Sequence, residues 1–319
     1  MKSKDSFLEL EIRYEKNFLM YICKNYIRMQ LLIYIFLYPI LWCISLLPFR
    51  LLYVLSDGFY ILTYYIIGYR KKIVRENLAL TLPHLSDKER LIIEKKSYQN
   101  MCDVFLEMIK TLTISKSEME RRYKFKNIEV YDYLEKKGKS IALLCAHYAS
   151  YEWAISINSK ISFEGYAVYK KINNRYFDKL VRDIRSKFKA TLITTKETIP
   201  EMGNNYNNNK LSLYGLISDQ SPRLGSFYHW NKFMGIEVPI HTGGEMLAKK
   251  YDMNVLFLRT KKLGRGFYEA ELEILSENAK EEPNYEITDR FLKLVEQQIY
   301  EQPEYYLWTH KRWKHRKLS

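Results

Sequence analysis

The chain has 319 residues, of which 47% are hydrophobic, and this fraction is large enough for a substantial core, so global disorder is excluded. Its 51 Lys and Arg residues against 37 Asp and Glu residues give a net charge of +14, which favours polyanionic partners such as nucleic acid, anionic lipid or a phosphorylated substrate. The 28 tyrosines are typical of a boundary between water and an apolar phase. The four cysteines are far apart, which argues against a disulfide framework and fits a reducing compartment.

The N-terminal part of the chain carries a membrane signal. Residues 29–49 contain no charged side chain, and about 20 apolar residues suffice to cross the hydrocarbon core of a bilayer. We therefore predict a membrane-spanning helix at about 29–49, kinked at Pro39, with a buried core helix as the alternative. A second apolar segment, 51–69, is short for a span and predicts a hairpin or an interfacial helix. This divides the chain into a tail and membrane anchor, 1–70, and a single domain, 71–319.

The remaining elements alternate between helical and strand patterns. Residues 71–110 predict helix, with a capping box from Ser86 to Glu89. The elements predicted after it are a strand at 140–146, a helix at 148–158, a strand at 166–169, a helix at 174–188, a polar loop at 204–209, a strand at 211–218, a helix at 242–250, strands at 255–259 and 268–275, and a helix at 288–300 that Thr288 caps and Gln302-Pro303 ends. This alternation predicts an α/β fold with a mainly parallel central sheet flanked by helices. Ligands in such folds bind beyond the carboxyl ends of the strands.

The strongest candidate for chemistry is the segment that follows the first buried strand. His147 comes directly after this strand, and Glu152 follows five residues later. A carboxylate beside an imidazole fixes its tautomer and stabilises the imidazolium, so this pair suits a base that deprotonates a hydroxyl. A core histidine with an unrelated glutamate is the alternative, because this spacing also occurs by chance. A nucleophile made of Cys145 and His147 is disfavoured, since a free cysteine on a buried strand is usually part of the core.

Three further clusters lie where a ligand could bind. Asp219 and Gln220 follow another buried strand, although an aspartate at such a place also caps turns. A basic stretch could also bind a ligand, although it is equally the pattern of a solvated helix face. Its residues are Lys170, Lys171, Arg182, Arg185 and Lys187. The tail at 308–316 alternates aromatic and cationic residues, which is typical of single-stranded nucleic acid binding or of an anionic membrane surface. The six histidines are scattered, so no metal site is predicted.

In their order and spacing these clusters resemble one family, the bacterial lipid A biosynthesis acyltransferases of the lauroyl/myristoyl type, which are related to the glycerol-phosphate acyltransferases through an H-x4-D/E motif. The resemblance runs from the N-terminal apolar helix to the last residues. Its motifs are Arg75-Glu76-Asn77-Leu78 with Pro83 and Ser86, His147 to Glu152, Tyr169-Lys170 with Asn174, Asp178 and Arg185-Ser186, Asp219-Gln220, Phe233-Met234-Gly235, Thr242-Gly243, and Pro303, Trp308, His310 and Arg312-Trp313-Lys314.

The sequence departs from the family pattern in two places. Ala149, Ser150 and Tyr151 stand where the family commonly has Gly-Asn-Trp, and Tyr169-Lys170-Lys171 stands where it usually has Tyr-Arg-Pro. Lysine keeps the charge of arginine but lacks its bidentate fork. These changes bear on phosphate binding and on the choice of acceptor.

The resemblance implies a glycerol-phosphate-acyltransferase-like fold and a defined reaction. A fatty acyl chain moves from an acyl thioester, on acyl carrier protein or alternatively coenzyme A, to a hydroxyl of a lipid A precursor. His147 is implied as the base and Glu152 as the residue that orients it. The residues implied in substrate binding are Lys170, Arg185, Asp219 and Gln220. No metal or nucleotide cofactor is required.

The implied acceptor is a phosphorylated glycolipid lodged in a membrane, which accounts for the anchor, the positive charge and the aromatic residues. We therefore expect the protein at the inner membrane of a Gram-negative bacterium, with its catalytic domain on the cytoplasmic side, in contact with membrane lipids and not with nucleic acid. One alternative is an acyltransferase of the same fold for an aminolipid, a lysophospholipid or a polyene lipid. An alternative of another class is a membrane-tethered nucleic-acid-binding protein, which would give Glu152 no role.

Overall fold

The computed structural model describes residues 27–223, 225 and 229–317, and it begins with helices. Helix α1 (Ile27–Leu46) is, within the described residues, the helix that by itself is long and apolar enough to cross a membrane. It runs through Pro39 as one helix. It ends before Pro48, because a proline disfavours helical backbone at the preceding residue. The apolar helix therefore lies about three residues earlier at its carboxyl end than the sequence pattern alone predicts.

The second apolar segment forms one helix that ends in a corner. Helix α2 (Phe49–Tyr60) passes directly into a π-helical stretch, Ile61–Ile67, which ends at Gly68 with φ of +66°. A glycine adopts this left-handed conformation without strain. Helix α3 (Lys71–Thr81) follows at 92° to the segment Phe49–Ile67. Only if this segment and α3 are counted together as one broken helix do they make a second candidate membrane span. Many apolar side chains of the segment Phe49–Ile67 are exposed, as expected for an interfacial helix.

Helix α4 (Asp87–Lys110) begins at the predicted capping box. The Ser86 hydroxyl accepts a hydrogen bond from the Glu89 backbone N–H at 3.3 Å, and the Glu89 carboxylate accepts one from the Ser86 N–H at 2.7 Å. The predicted helix over 71–110 is in fact two helices, because the chain leaves helical backbone around Pro83. Helix α4 packs against α2 and carries buried polar side chains toward the sheet.

The centre of the molecule is a seven-stranded sheet. Its strands in chain order are β1 (Tyr123–Phe125), β2 (Ile141–Cys145), β3 (Glu164–Tyr169), β4 (Ala190–Thr194), β5 (Ser212–Ile217), β8 (Asn254–Gly264) and β9 (Phe267–Ser276), with a separate antiparallel hairpin of β6 (Trp230–Phe233) and β7 (Ile236–Pro239). The spatial order is β1-β9-β8-β2-β5-β3-β4, and the five strands from β8 to β4 are parallel. Strand β9 pairs antiparallel with β8 and parallel with β1. The predicted mainly parallel α/β fold is confirmed.

Helices flank this sheet. They are α5 (Lys116–Arg122), α6 (Glu129–Glu135), α7 (Arg175–Ser186), α8 (Thr198–Asn207), α9 (Gly243–Lys250) and α10 (Glu286–Glu301), with 3-10 turns at Trp153–Ser159, Ala279–Glu281 and Pro303–Tyr305. The helix predicted at 148–158 is a loop followed by the first of these turns. The polar loop predicted at 204–209 lies largely within α8. Helix α10 starts two residues before Thr288, whose hydroxyl donates to the buried Glu245 carboxylate at 2.6 Å and so does not cap the helix.

The carboxyl-terminal segment belongs to the core. Trp308 and Trp313 are fully buried and stack on each other with ring centroids 5.9 Å apart. Arg312 is also buried, and its guanidinium lies over the Phe233 ring at 5.0 Å. These three side chains of the tail at 308–316 therefore face inward. The aromatic residues of this alternation serve packing, while Lys311, Lys314 and Arg316 remain exposed.

Candidate active site

Strand register explains why His147 and Asp219 meet. In the parallel pair β2–β5, Cys145 lies opposite Ile217, and His147 and Asp219 each follow two positions later. The imidazole Nδ1 of His147 lies 2.7 Å from Oδ1 of Asp219, and the His147 backbone N–H donates to the same oxygen at 3.2 Å. The pair thus sits at the carboxyl edge of the sheet, where parallel α/β folds place their ligands.

The hydrogen-bond network assigns the tautomer of His147. An ionised carboxylate only accepts, so Nδ1 carries the proton and Nε2 is the basic nitrogen. The Gln220 side-chain nitrogen lies 3.3 Å from Nε2. Burial lowers the pKa of His147, but the charge and hydrogen bond of Asp219, with the charge of Glu152, hold that pKa above its ordinary value. Burial would raise the pKa of Asp219, yet its contacts with His147 keep that pKa low.

Glu152 has a different partner from the one the sequence suggests. Arg185 on α7 binds its carboxylate through two hydrogen bonds, Nε to Oε2 at 3.0 Å and Nη2 to Oε1 at 2.6 Å. The direct carboxylate contact of His147 is made by Asp219. Glu152 precedes the 3-10 turn Trp153–Ser159 instead of starting an α-helix, and this points its carboxylate toward α7. Glu152 acts on His147 through its charge.

The basic residues expected at the site divide into inner and outer groups. Arg185 is largely buried at the site, whereas Lys170, Lys171 and Arg182 are exposed. Lys170 lines the same cavity as His147 and lies at its open rim. The Arg185 guanidinium and the Lys170 ammonium are therefore the cations that a ligand in the cavity meets.

Two cavities meet at His147. The larger one, about 780 Å³, runs from His147 and Arg185 along strands β2, β3 and β5, and its wall is mostly aliphatic and aromatic. The smaller one, about 160 Å³, lies between α4 and the segment from Tyr305 to Thr309. His147, Tyr151 and Glu152 line both. An imidazole base between two apolar spaces suits the transfer of a group from one chain-bearing molecule to another.

The loop between His147 and Glu152 is fixed by residues that the sequence reasoning missed. The Ser150 hydroxyl donates to the Glu107 carboxylate of α4 at 3.0 Å, and Tyr53 and Tyr268 donate to the same carboxylate at 2.9 and 3.0 Å. Burial raises the pKa of Glu107, although its hydroxyl donors and the charge of Lys262 oppose this. No local sequence pattern predicts this cluster, because Glu107, Ser150, Tyr53 and Tyr268 come from four segments that are far apart in the chain.

The site residues do not favour a cysteine nucleophile or a metal centre. Burial raises the pKa of the Cys145 thiol to about 12, so the thiol keeps its proton at neutral pH and is not a nucleophile. Among the residues that the structure describes, no group of three or more His, Cys, Asp or Glu side chains is placed to hold a metal ion. The candidate site therefore consists of two pairs, the imidazole of His147 with the Asp219 carboxylate and the Glu152 carboxylate with the Arg185 guanidinium.

A comparison with known protein families finds a match over most of the chain. The model of the family described as bacterial lipid A biosynthesis acyltransferase matches residues 22–315, a range that contains His147, Glu152, Arg185 and Asp219. No curated protein matches the chain. A family match over this share of the sequence identifies the reaction class. The chain belongs to the bacterial lipid A biosynthesis acyltransferase family and is an acyltransferase.

Proposed function

We propose that this protein is a membrane-bound O-acyltransferase that moves a fatty acyl chain from an acyl thioester to a hydroxyl of a lipid A precursor. The observation that carries the proposal is the His147–Asp219 pair at the junction of two apolar cavities. The basic Nε2 borders space for two acyl-bearing substrates. Family membership supports the reaction class and a lipid acceptor in general terms.

In the proposed mechanism His147 is the general base. Nε2 takes the proton of the acceptor hydroxyl as its oxygen attacks the thioester carbonyl, and Asp219 stabilises the imidazolium through Nδ1. Collapse of the tetrahedral intermediate breaks the carbon–sulfur bond and forms the ester. The leaving thiolate receives the proton from Nε2, so the enzyme returns to its starting state. Gln220, whose side-chain nitrogen is 3.3 Å from Nε2, is placed to donate to an oxygen bound there.

The Glu152–Arg185 pair has a positioning role in this proposal. Arg185 is held by both carboxylate oxygens of Glu152, which fixes the guanidinium at the cavity wall. A fixed guanidinium with Lys170 at the rim suits a phosphorylated acceptor. Glu152 thus supports catalysis through Arg185 and through its charge near His147, instead of through a direct bond to the imidazole.

We propose acyl carrier protein as the donor, with coenzyme A as the alternative carrier, and the cytoplasmic side of the inner membrane of a Gram-negative bacterium as the location. The net charge of +14 favours an acidic carrier and an anionic membrane.

A second candidate acceptor is another lipid with a free hydroxyl or amine. It is favoured by the departures at Ala149, Ser150 and Tyr151 within the H-x4-E motif, because the Tyr151 ring, which stands where the family commonly has tryptophan, packs 5.0 Å from the His147 ring.

Mass spectrometry of lipid A tests the proposal. A host that lacks its own late acyltransferases is compared with and without this gene, and a mass gain equal to one acyl chain is expected. His147→Ala and Glu152→Ala should each abolish the gain at matched expression, while Asp132→Asn, at an exposed position of α6, should retain it. No gain with the protein present in the membrane would overturn the lipid A assignment, and whole-lipid profiling would then identify a different acylated lipid.

A further inference from the structure

Helix α1 lies along the body of the protein instead of projecting from it. A stripe of residues spaced by three or four faces inward: Gln30, Tyr34, Tyr38, Leu41 and Ser45. Near its start, Gln30 donates to the Asn173 carbonyl at 3.5 Å, and the Tyr34 ring stacks on Tyr176 with centroids 5.6 Å apart. These contacts bind the amino-terminal half of α1 to the beginning of α7.

The other end of α1 is bound as well. Leu41 and Ile44 pack on the buried cluster of Leu52, Leu106 and Ile109. The Ser45 carbonyl accepts a hydrogen bond from the Lys110 ammonium at 2.7 Å. These contacts extend from Gln30 to Ser45, about 22 Å along the helix axis, on one face of α1.

Helix α7 contacts α1 through Tyr176 and Phe177, whose rings pack on Tyr34, and its charged side chains bear on how α1 sits in a membrane. Lys187 at the end of α7 donates to the Leu112 carbonyl at 3.0 Å, next to the region where α1 ends. Lys179 and Asp183 form an ion pair at 2.6 Å on the outside of α7, with side chains 74% and 55% exposed. Both charges lie close enough to influence Tyr34, which is in the first half of α1.

A crossing helix would carry these charges into the hydrocarbon. If α1 crossed the bilayer, the packed α7 would follow it, and each charged side chain at the bilayer centre costs about 3 kcal/mol or more. A helix that lies in one leaflet avoids this cost, because the outer face of α1 enters the hydrocarbon while α7 stays at the headgroups. The contacts therefore oppose the span that composition alone predicts.

Both N-terminal helices carry exposed apolar side chains, and the set named here the apolar platform consists of Ile33, Phe36 and Ile40 on α1 and Val54, Ile66 and Ile67 on the segment Phe49–Ile67. All six are exposed, Phe36 by 73% and Ile66 by 72%. Apolar exposure of this extent is rare on soluble proteins. Exposed cations flank the platform, namely Arg28, Arg50, Arg70 and Lys72. Apolar surface bordered by cations complements an anionic lipid leaflet.

We propose that α1 does not cross the bilayer, and that the platform seats the protein in a single anionic leaflet with α1 lying close to the membrane plane. The packing of α1 and the charges of α7 favour this arrangement whichever lipid is acylated. It has a consequence for the site: Asn173, which holds Gln30, directly follows Ile172, and Ile172 and Lys170 line the active-site cavity. The cavity then opens at headgroup depth, where a lipid acceptor presents its polar groups.

Nitroxide depth measurement distinguishes the two arrangements. Single cysteines are introduced at successive positions from 29 to 46 in the full chain, in a background with the four native cysteines replaced by serine and a circular dichroism melt that matches wild type. The labelled proteins are bound to vesicles of phosphatidylethanolamine and phosphatidylglycerol in a 3:1 ratio, as about one anionic lipid in four gives a clear surface potential. Collision with oxygen and with a water-soluble nickel complex reports depth at each position.

A seated helix gives depths that oscillate with a period of about 3.6 residues, with both ends equally shallow and labels at Tyr34 and Tyr38 shielded from both reagents. A crossing helix gives one maximum near Phe36 and ends exposed on opposite sides of the vesicle, which would overturn the proposal. Spin–spin broadening at Phe36 with no immersion would also overturn it, since a second copy of the chain would then cover the platform. Each result is independent of acyl transfer, so failure here is separable from failure of the lipid A assignment.

Discussion

His147 is flanked by groups that pull its pKa in opposite directions. Burial and the Arg185 guanidinium lower this pKa, while Asp219 and Glu152 raise it, and the net effect is upward. A raised folded-state pKa contributes stability that is fully present below about pH 6.5 and is lost as the pH rises through the folded pKa. If His147 is the base, as proposed, acyl transfer should require a pH above that pKa, where Nε2 carries no proton.

Asp219→Asn is expected to lower the pKa of His147 and to reduce acyl transfer. The substitution removes the negative charge that opposes burial, and an asparagine amide can donate to Nδ1, which shifts the proton to Nε2 and removes the base. A loss of about 10² to 10⁴ in kcat/KM follows from the usual contribution of an oriented general base. NMR titration of His147 and an acyl transfer assay check the two effects. An unchanged or higher His147 pKa in the variant would contradict the assigned partner.

Ala149 holds a strained backbone conformation in the site loop. Its φ is +49° and it is buried, a combination that a β-branched side chain tolerates poorly. Ala149→Val should therefore destabilise the fold by about 2–4 kcal/mol through strain and overpacking. Ala149→Gly relieves the strain but loses a buried methyl group and adds freedom to the unfolded chain, so it should stay within about 1 kcal/mol of wild type. Melting in detergent compares them, and a valine variant as stable as wild type would refute the strain.

The residues of the site could be predicted from sequence to different extents. The sequence indicates His147, Arg185 and Asp219 because they follow buried strands or match a motif. It does not predict how they pair, since chain spacing favours Glu152 as the partner of His147. The actual partner is set by the register of β2 against β5, which joins residues 72 positions apart. Such a contact depends on the tertiary fold and leaves no local trace.

At the scale of elements, α4 ties the active-site loop to the N-terminal helices. Glu107 accepts hydrogen bonds from Ser150 in the loop and from Tyr53 on α2. Ser150→Ala should lower stability by about 1–3 kcal/mol, because one oxygen of a buried carboxylate then loses a donor. It should also slow acyl transfer by loosening the loop that carries His147 and Glu152. Ser117→Ala, which affects an exposed hydroxyl on α5, is the matched control. Equal melting temperatures for both variants would show that the contact is dispensable.

The carboxyl-terminal segment makes stability depend on pH. Burial lowers the pKa of His310 to about 4, and the charges of His147, Arg312 and Lys314 act in the same direction. Its ring accepts a hydrogen bond from the Ser221 N–H at 3.4 Å, which requires the neutral form. The unfolded chain therefore binds this proton more readily, and stability falls as the pH drops from about 6.5 toward 4.

His310→Gln should reduce this acid destabilisation. The expected difference between pH 7.5 and pH 4.5 is of the order of 1 kcal/mol, since solvent screens the partly exposed ring. Melting temperatures of both proteins at the two pH values measure it. His241, whose pKa burial also lowers, remains in the variant and keeps part of the acid sensitivity. Identical losses in wild type and variant would assign the effect to other groups.

Helices and loops that have a local sequence pattern agree with the structure. Those whose conformation depends on tertiary packing do not. The Ser86–Glu89 capping box is a local pattern and starts α4 as predicted. The asparagine-rich stretch at 204–209 favours a loop by propensity, yet most of it is helical in α8, where Asn205 is buried and donates to Tyr214 at 2.9 Å. Tertiary contacts overrode propensity there. Likewise the tail at 308–316 is basic in sequence, but its tryptophans fill the core.

At the scale of the whole molecule, the charge and the apolar platform make separable contributions to membrane binding. The net charge of +14 attracts an anionic surface at long range, whereas the platform inserts at short range. Salt screens the first contribution, since the Debye length falls from about 10 Å at 0.1 M to about 3 Å at 1 M. It leaves the second contribution intact, because apolar burial does not weaken in sodium chloride.

We therefore expect two-part behaviour in vesicle flotation. At 0.1 M salt the full chain should bind vesicles with phosphatidylglycerol at least tenfold more tightly than neutral phosphatidylcholine vesicles, as a few basic residues at about 1 kcal/mol each suffice. At 1 M salt this preference should shrink to within about twofold, while binding itself persists. Phe36→Ser and Ile66→Ser should release the protein at 1 M salt, and Ile274→Ser on β9, away from the platform, should not. Complete release of wild type by salt would mean that charge alone holds the protein at the membrane and that the exposed apolar side chains face another partner.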